Sequence, residues 1–248
     1  MCTVVILRRP GLSWPFILGA NRDERLSRPW LAPARHWPDR ADVVAGKDQL
    51  AGGTWLGIND SGVLAAVMNR EGSLGPAAGK RSRGELVLEA LDHPDADLAA
   101  ASLRHLDTGA YRAFNLLVAD IRDAYWLKST GAGAVSVTPI EPGLSMLTAR
   151  DLNDATSERI AAHSPRFAAA EPPDPENGDW HVWEALMAAG PPEGSKNPRA
   201  AMAIDPIDGY GTVSSSLIAL PTDTARNRPI WRFCTGKPGT APYRLVNA

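Results

Sequence analysis

Short apolar runs separated by turn residues dominate the N-terminal part of the chain. Residues 3–7 and 15–19 read as two strands joined through Pro10 and Gly11, a hairpin. The second run passes directly into Asn21-Arg22-Asp23-Glu24. From there to Asp42 the chain carries Pro29, Pro33 and Pro38 with Trp30 and Trp37, loop composition with aromatic anchors. Residues 52–58 and 63–69 predict a second hairpin around the Asn59-Asp60-Ser61-Gly62 turn, ending at Asn69. Helical periodicity begins later. Ser82 with Glu85 fits a capping box, and Leu86, Val87, Ala90 and Leu91 supply the apolar face of a helix. A second helix runs from near Asp95 to Leu106. Strands follow at 114–119, 124–128, around 135–137 and at 144–148, then a helix over 154–170 opened by Asp154 or Thr156. A short helix covers 180–189. Residues 190–211 are rich in Pro and Gly, and strands at 212–220 and 229–234 complete the sheet content. Hairpins bracketing a central pair of helices predict an α+β protein: two antiparallel sheets with helical layers, in one domain over residues 1–248.

Composition narrows the class. Of 248 residues, 44% are hydrophobic and 22% charged, an ordinary globular balance. The formal net charge of -2, with both signs interspersed, lacks the basic face a nucleic-acid binder needs. No apolar run approaches the roughly 20 residues of a membrane span, and no signal or transit peptide is expected. Cys2 and Cys234 can form at most one disulfide, so reduced thiols and a cytoplasmic location are the expectation. His36, His93, His105, His163 and His181 show no metal-ligand spacing, and neither a metal nor a cofactor is expected.

The chemistry concentrates near the start. Methionine aminopeptidases remove Met1 when the next side chain is small, and Cys2 qualifies. The mature chain then begins with a thiol and a free α-amine on one residue. That amine has a pKa of about 7.7–8.0 against about 8.5 for a thiol, so it can act as the base for its own nucleophile. Asp23, at the end of the second strand and antiparallel to the first, can orient the amine. Arg22 can favour the thiolate. Alternation puts the two on opposite faces, and Asp23 is expected to point at Cys2. Asn69, ending the fourth strand, suits an oxyanion donor. Trp55 and Asn59, with Arg22, are candidate substrate contacts. Trp55 reads more readily as core or pocket wall than as a specific contact.

Taken together, these blocks resemble a known family. Met1-Cys2-Thr3, Asn21-Arg22-Asp23-Glu24 with Ser27-Arg28-Pro29, and Gly53-Thr54-Trp55-Leu56-Gly57 resemble the NRDE family, also called the transport and Golgi organisation protein 2 family. Ser82-Arg83-Gly84-Glu85-Leu86-Val87, Phe114-Asn115-Leu116 and Tyr210-Gly211-Thr212 extend the likeness over nearly the whole chain. The resemblance implies an N-terminal nucleophile hydrolase fold, a four-layer αββα sandwich similar to the choloylglycine hydrolase and penicillin acylase group. By that analogy Cys2 is the nucleophile, Asp23 contacts the α-amine and Asn69 occupies an oxyanion-hole position. Three departures stand out. The related amidases usually carry Arg where this chain has Ala20. They place a second oxyanion Asn where Leu147-Thr148 leads to Ala149, with Asn153 four residues on. Many family members have Arg where Val213 stands. Members are linked to secretory-pathway organisation in animals and to haem or lipid handling.

Two functions compete. One is a cysteine amidohydrolase cleaving a linear non-peptide amide such as an N-acyl compound. The other is a non-catalytic carrier of haem or another flat apolar ligand, with some of the eight tryptophans walling its pocket.

Overall fold

A computed structural model describes residues 2–223 and 226–247. The chain divides into two compact units, residues 1–28 with 142–246, and residues 29–141 with 247–248. Both carry an antiparallel sheet with two helices, an α+β architecture.

In the first unit, β1 (Thr3–Arg8) and β2 (Phe16–Arg25) form the expected hairpin, pairing Thr3 with Asn21 and Val5 with Gly19. β10 (Gly143–Leu147) flanks β1. On the other side of β2 lie β11 (Tyr210–Leu220), β12 (Ile230–Thr235) and β13 (Tyr243–Leu245), giving the order β10-β1-β2-β11-β12-β13. Helices α3 (Glu158–Ala169) and α4 (His181–Met187) cover one face. Val5, Ile17, Met146 and Leu217 meet Ile160, Phe167, Trp183 and Met187 in that core. At Gly19 the approach is so close that a Cβ would stand 2.9 Å from the Met187 sulfur. β2 runs through the whole Asn-Arg-Asp-Glu segment, and everything from Phe16 to Asp23 is buried. A strand buried on both faces loses the polar alternation that marks a half-exposed one.

The second unit is a meander in sequence order. It contains β3 (Trp30–Ala34), β4 (Val43–Asp48), β5 (Leu56–Asn59), β6 (Leu64–Asn69), β7 (Phe114–Ala119), β8 (Ala124–Ser129) and β9 (Ser136–Pro139). Helices α1 (Gly84–Leu91) and α2 (Ala96–Leu103) pack on one face through Leu86, Leu91, Ala99 and Leu103. Asp95 caps α2 by accepting from the Leu98 N–H at 2.8 Å.

Several local expectations need correction. The stretch before Asp42 is not all loop: β3 lies there, an edge strand whose register breaks between Leu31 and Ala34, around Pro33. β4 and β13 were not anticipated. Gly46 interrupts the apolar pattern of β4 because the Trp55 ring lies where a Cβ would be, 2.3 Å away. No capping box forms at Ser82. The N-cap of α1 is Arg83, without a side-chain cap, and Glu85 instead accepts from Arg81 at 2.8 Å. Helix α3 begins after Ser157, whose hydroxyl caps it, because Asp154 closes a turn on Thr156. Among the described residues no helix is long and apolar enough to cross a membrane.

Candidate active site

The Asn-Arg-Asp-Glu run lies within β2, so its side chains alternate between the two faces of the first sheet. Asn21 and Asp23 face the helices. Asn21 donates both amide hydrogens to carbonyls, those of Met187 and Met202, each at 2.9 Å. Arg22 and Glu24 take the other face, where the Arg22 guanidinium lies 3.8 Å from Glu24, itself 3.7 Å from Arg28.

The Asp23 carboxylate is fully enclosed. One oxygen accepts from the Thr212 hydroxyl at 2.6 Å, and the other from the Arg159 guanidinium at 3.1 Å. Arg159, 3% exposed, comes from the first turn of α3. It also donates to the Thr3 hydroxyl, and to the Arg199 carbonyl through Nε at 3.1 Å and Nη2 at 2.9 Å. Ile204 N–H in turn donates to Thr212 at 2.8 Å. An ion pair this deep survives only with its remaining hydrogen-bonding capacity filled, and this one is tied directly to Thr212, Thr3 and Arg199.

Cys2 stands immediately before Thr3 and is half-buried. Its thiol donates to the Asp23 carbonyl at 3.8 Å, and the Tyr210 hydroxyl donates to the same oxygen at 3.0 Å. Burial pushes the thiol above its ordinary value. The charge of the N-terminal amine opposes the rise most, the Asp23 charge adds to it, and the bond to the Asp23 carbonyl and the Arg22 charge oppose it. Burial also raises Tyr210, which keeps that hydroxyl a donor rather than a base. Thr3 shares the helix face with Asp23, so alternation assigns Cys2 to the face of Arg22. This reverses the expected orientation: Asp23 reaches the thiol with its backbone carbonyl, and its carboxylate is committed to Arg159 and Thr212. Met1 lies outside the described residues.

The remaining expected site residues belong to the second unit. Asn69 ends β6 half-buried, paired with Phe114. Asn59 has its amide saturated: it donates to Leu91 and His93 carbonyls at 2.8 Å each and accepts from Val63 N–H at 2.9 Å. It locks the end of α1 to the β5 turn. Trp55 stacks on Gly46 and meets Trp30 edge-on at 5.8 Å. Gly57 lies against Leu91 and Ala45. The glycine- and tryptophan-bearing motif is therefore packing. Trp14, Trp126, Trp180, Trp183 and Trp231 are buried as well. Asn153, in the first unit, is turned back onto β10. It accepts from Met146 N–H at 2.7 Å and donates to Ser145 at 3.2 Å. Among the described residues no group of three or more His, Cys, Asp or Glu could hold a metal.

Arg159, Thr3, Tyr210 and Thr212 were not singled out as site residues from sequence. A usable signal existed for the first. Arg159 and His163 stand on the same helical stripe as Ile160 and Phe167, and all four are buried.

The sequence model of the family described as Transport and Golgi organisation 2 matches residues 1–227. The chain belongs to that family. A Transport and Golgi organization protein 2 homolog from Bos taurus is 38% identical over 114 residues, 44% of this chain and 40% of that protein. The homolog from Homo sapiens is 37% identical over 117 residues, 45% and 41%. The match thus spans well under two thirds of those relatives' length. Among solved structures, the Caenorhabditis elegans ortholog of N-acylethanolamine-hydrolyzing acid amidase superposes with a TM-score of 0.60 at 13% identity, covering 99% of this chain and 100% of its own. Penicillin V acylase from Agrobacterium tumefaciens gives 0.52 at 14%, covering 99% and 86%. A conjugated bile acid hydrolase variant from Clostridium perfringens gives 0.56 at 12%, covering 100% and 92%. At such identities the likeness establishes the fold, that of the N-terminal nucleophile hydrolases.

Proposed function

We propose that the protein is a cysteine amidohydrolase acting on a linear non-peptide amide, an N-acyl compound, with Cys2 as nucleophile. The observation that carries this reading is the thiol itself. It is half-buried at the head of β1, 3.8 Å from the backbone carbonyl of Asp23. Two of the structural neighbours are named as an amidase and an acylase, which agrees with amide cleavage. In the proposed cycle Met1 is first removed, and the α-amine of Cys2 takes the thiol proton. The sulfur attacks the amide carbon, the C–N bond breaks and the amine leaves with that proton. Water then splits the thioester, releasing the acid and restoring the thiol. Asn69 is assigned as the oxyanion donor from the family resemblance. Arg22, on the thiol's face, is the candidate contact for an anionic acyl group. A reducing, cytoplasmic compartment suits the free thiols of Cys2 and Cys234.

The test is intact mass of the purified chain before and after incubation with N-acyl amides. Loss of Met1, a transient acyl adduct on Cys2 and its disappearance in Cys2→Ala are expected. Equal turnover by a chain that keeps Met1 would end the proposal. Carriage of haem or another flat apolar ligand is the weaker reading, because the tryptophans proposed to wall its pocket are engaged in packing. A haem titration without a visible-absorbance change counts against it.

A further inference from the structure

We propose that Arg159 is the positioning residue of the Cys2 site, holding both the residue that follows the nucleophile and the carboxylate beside it. This rests on Cys2 being the nucleophile. The geometry is specific to a guanidinium. From one planar fork, Arg159 bonds Thr3 on β1, Asp23 on β2 and, twice, the Arg199 carbonyl. Thr3 shares a peptide bond with Cys2, so fixing its hydroxyl fixes the plane from which the thiol projects. Asp23 offers the thiol its carbonyl oxygen while its carboxylate is drawn to the opposite, helix-facing side. Without Arg159, that carboxylate loses its guanidinium partner and keeps the bond from the Thr212 hydroxyl. A lysine keeps the charge but cannot reach three directions at once.

A merely structural ion pair would lower stability and leave the thiol's chemistry alone. The two roles separate in the pH profile of Cys2 alkylation, which requires no turnover. The charged and titratable groups around the thiol are the chain's N-terminal amine, Asp23 and Arg22 on β2, and Tyr210 on β11, with Glu24 and Arg159 next to them. The thiol already titrates above its ordinary value. The Asp23 charge already adds to that rise, so removing the guanidinium beside it increases the negative field at the thiol.

The experiment follows iodoacetamide labelling of Cys2 in the full chain by peptide mass, as a function of pH, with circular dichroism to confirm folding. In Arg159→Met the alkylation midpoint is expected to rise by about one pH unit, the lower end of a neighbouring charge's effect. Arg159→Gln, which still donates to the Arg199 carbonyl, serves the same purpose should the methionine variant not fold. Arg159→Lys is expected to restore the parent midpoint. Its limiting labelling rate should rise by a factor of about three, because the hydrogen bond that orders Thr3 is lost. A folded Arg159→Met or Arg159→Gln chain with the parent's midpoint overturns the proposal. So does failure of both to fold together with an Arg159→Lys profile identical to the parent's in midpoint and limiting rate. Lack of turnover on every amide tried would sink the hydrolase reading and leave these labelling outcomes intact.

Discussion

Replacing Gly53 by alanine tests how much of the family-like sequence is architecture rather than chemistry. An added Cβ would stand 2.6 Å from the Gly84 carbonyl carbon, 2.8 Å from its oxygen and 2.9 Å from its Cα. Ordinary carbon contacts need about 3.5–4.0 Å, so roughly an ångström of movement is required. Neither side can yield by a rotamer change, because both partners are backbone. The two segments are also pinned by the bond from Thr54 N–H to the Gly84 carbonyl at 3.1 Å. Overpacking costs about 1–3 kcal/mol and the stretched hydrogen bond about 1 kcal/mol. Restricting the unfolded chain returns about 0.4–1 kcal/mol. The net loss is about 1–3.5 kcal/mol, or about 2–14 °C in Tm for a chain of this size. Gly52 is the control. Its φ is +76°, but nothing lies within 4 Å, so alanine there meets only the left-handed penalty of about 1 kcal/mol. Urea and thermal unfolding of both variants decide the matter. Gly53→Ala as stable as Gly52→Ala would refute the close-contact reading.

Three further outcomes follow from the geometry. Asn59→Ala removes two buried hydrogen bonds and one part-buried and should lower stability by about 2–3 kcal/mol, with faster hydrogen exchange at the end of α1; unchanged exchange there would contradict the lock. Thr212→Val leaves an Asp23 oxygen and the Ile204 N–H without their partner, for a loss of about 2–4 kcal/mol in urea unfolding; a neutral result would mean Asp23 is not held as described. His163 donates to the Ala200 carbonyl and faces Arg159 and Arg166, and burial holds its pKa below the ordinary 6.5. The unfolded chain therefore takes up its proton first. The stabilisation is complete above about pH 6.5 and is lost as pH falls through the folded value, at up to about 1.4 kcal/mol per pH unit. Thermal unfolding between about pH 7.5 and 5.5 should fall less steeply in His163→Gln, and parallel slopes would rule the histidine out.

Much of the fold was legible because the turns declare themselves. Pro10-Gly11 and Asn59-Asp60-Ser61-Gly62 punctuate runs whose pairing follows from their adjacency, and β7 and β8 appear nearly at their expected limits. Failures occurred where a residue serves a neighbour rather than its own element. Pro33 in β3 and Gly46 in β4 disguise strands, the one at a register break and the other beneath an indole. Arg159 was missed because a helical stripe is searched for apolar residues, whereas a buried arginine there marks a charge waiting across the interface. Trp55 and Asn59 were plausible contacts by residue type, yet type says nothing of whether a side chain is already committed.

The four-residue run that names the resemblance illustrates the point most fully. Four polar residues in succession read as a turn, and burying them within a strand is costly unless each finds a partner. Alternation solves this by division. Asn21 closes on two carbonyls contributed by α4 and the segment at Met202, and Asp23 closes on α3 through Arg159. Arg22 and Glu24 neutralise each other's surroundings on the other face. Half of the motif therefore fastens the helical layer to the central strand, and only the backbone of Asp23 reaches the thiol directly. Mutating Asp23 should consequently disturb folding and the Cys2 environment together, whereas Arg22 is the position at which charge on the thiol's face can be changed without breaking a tie to the helices.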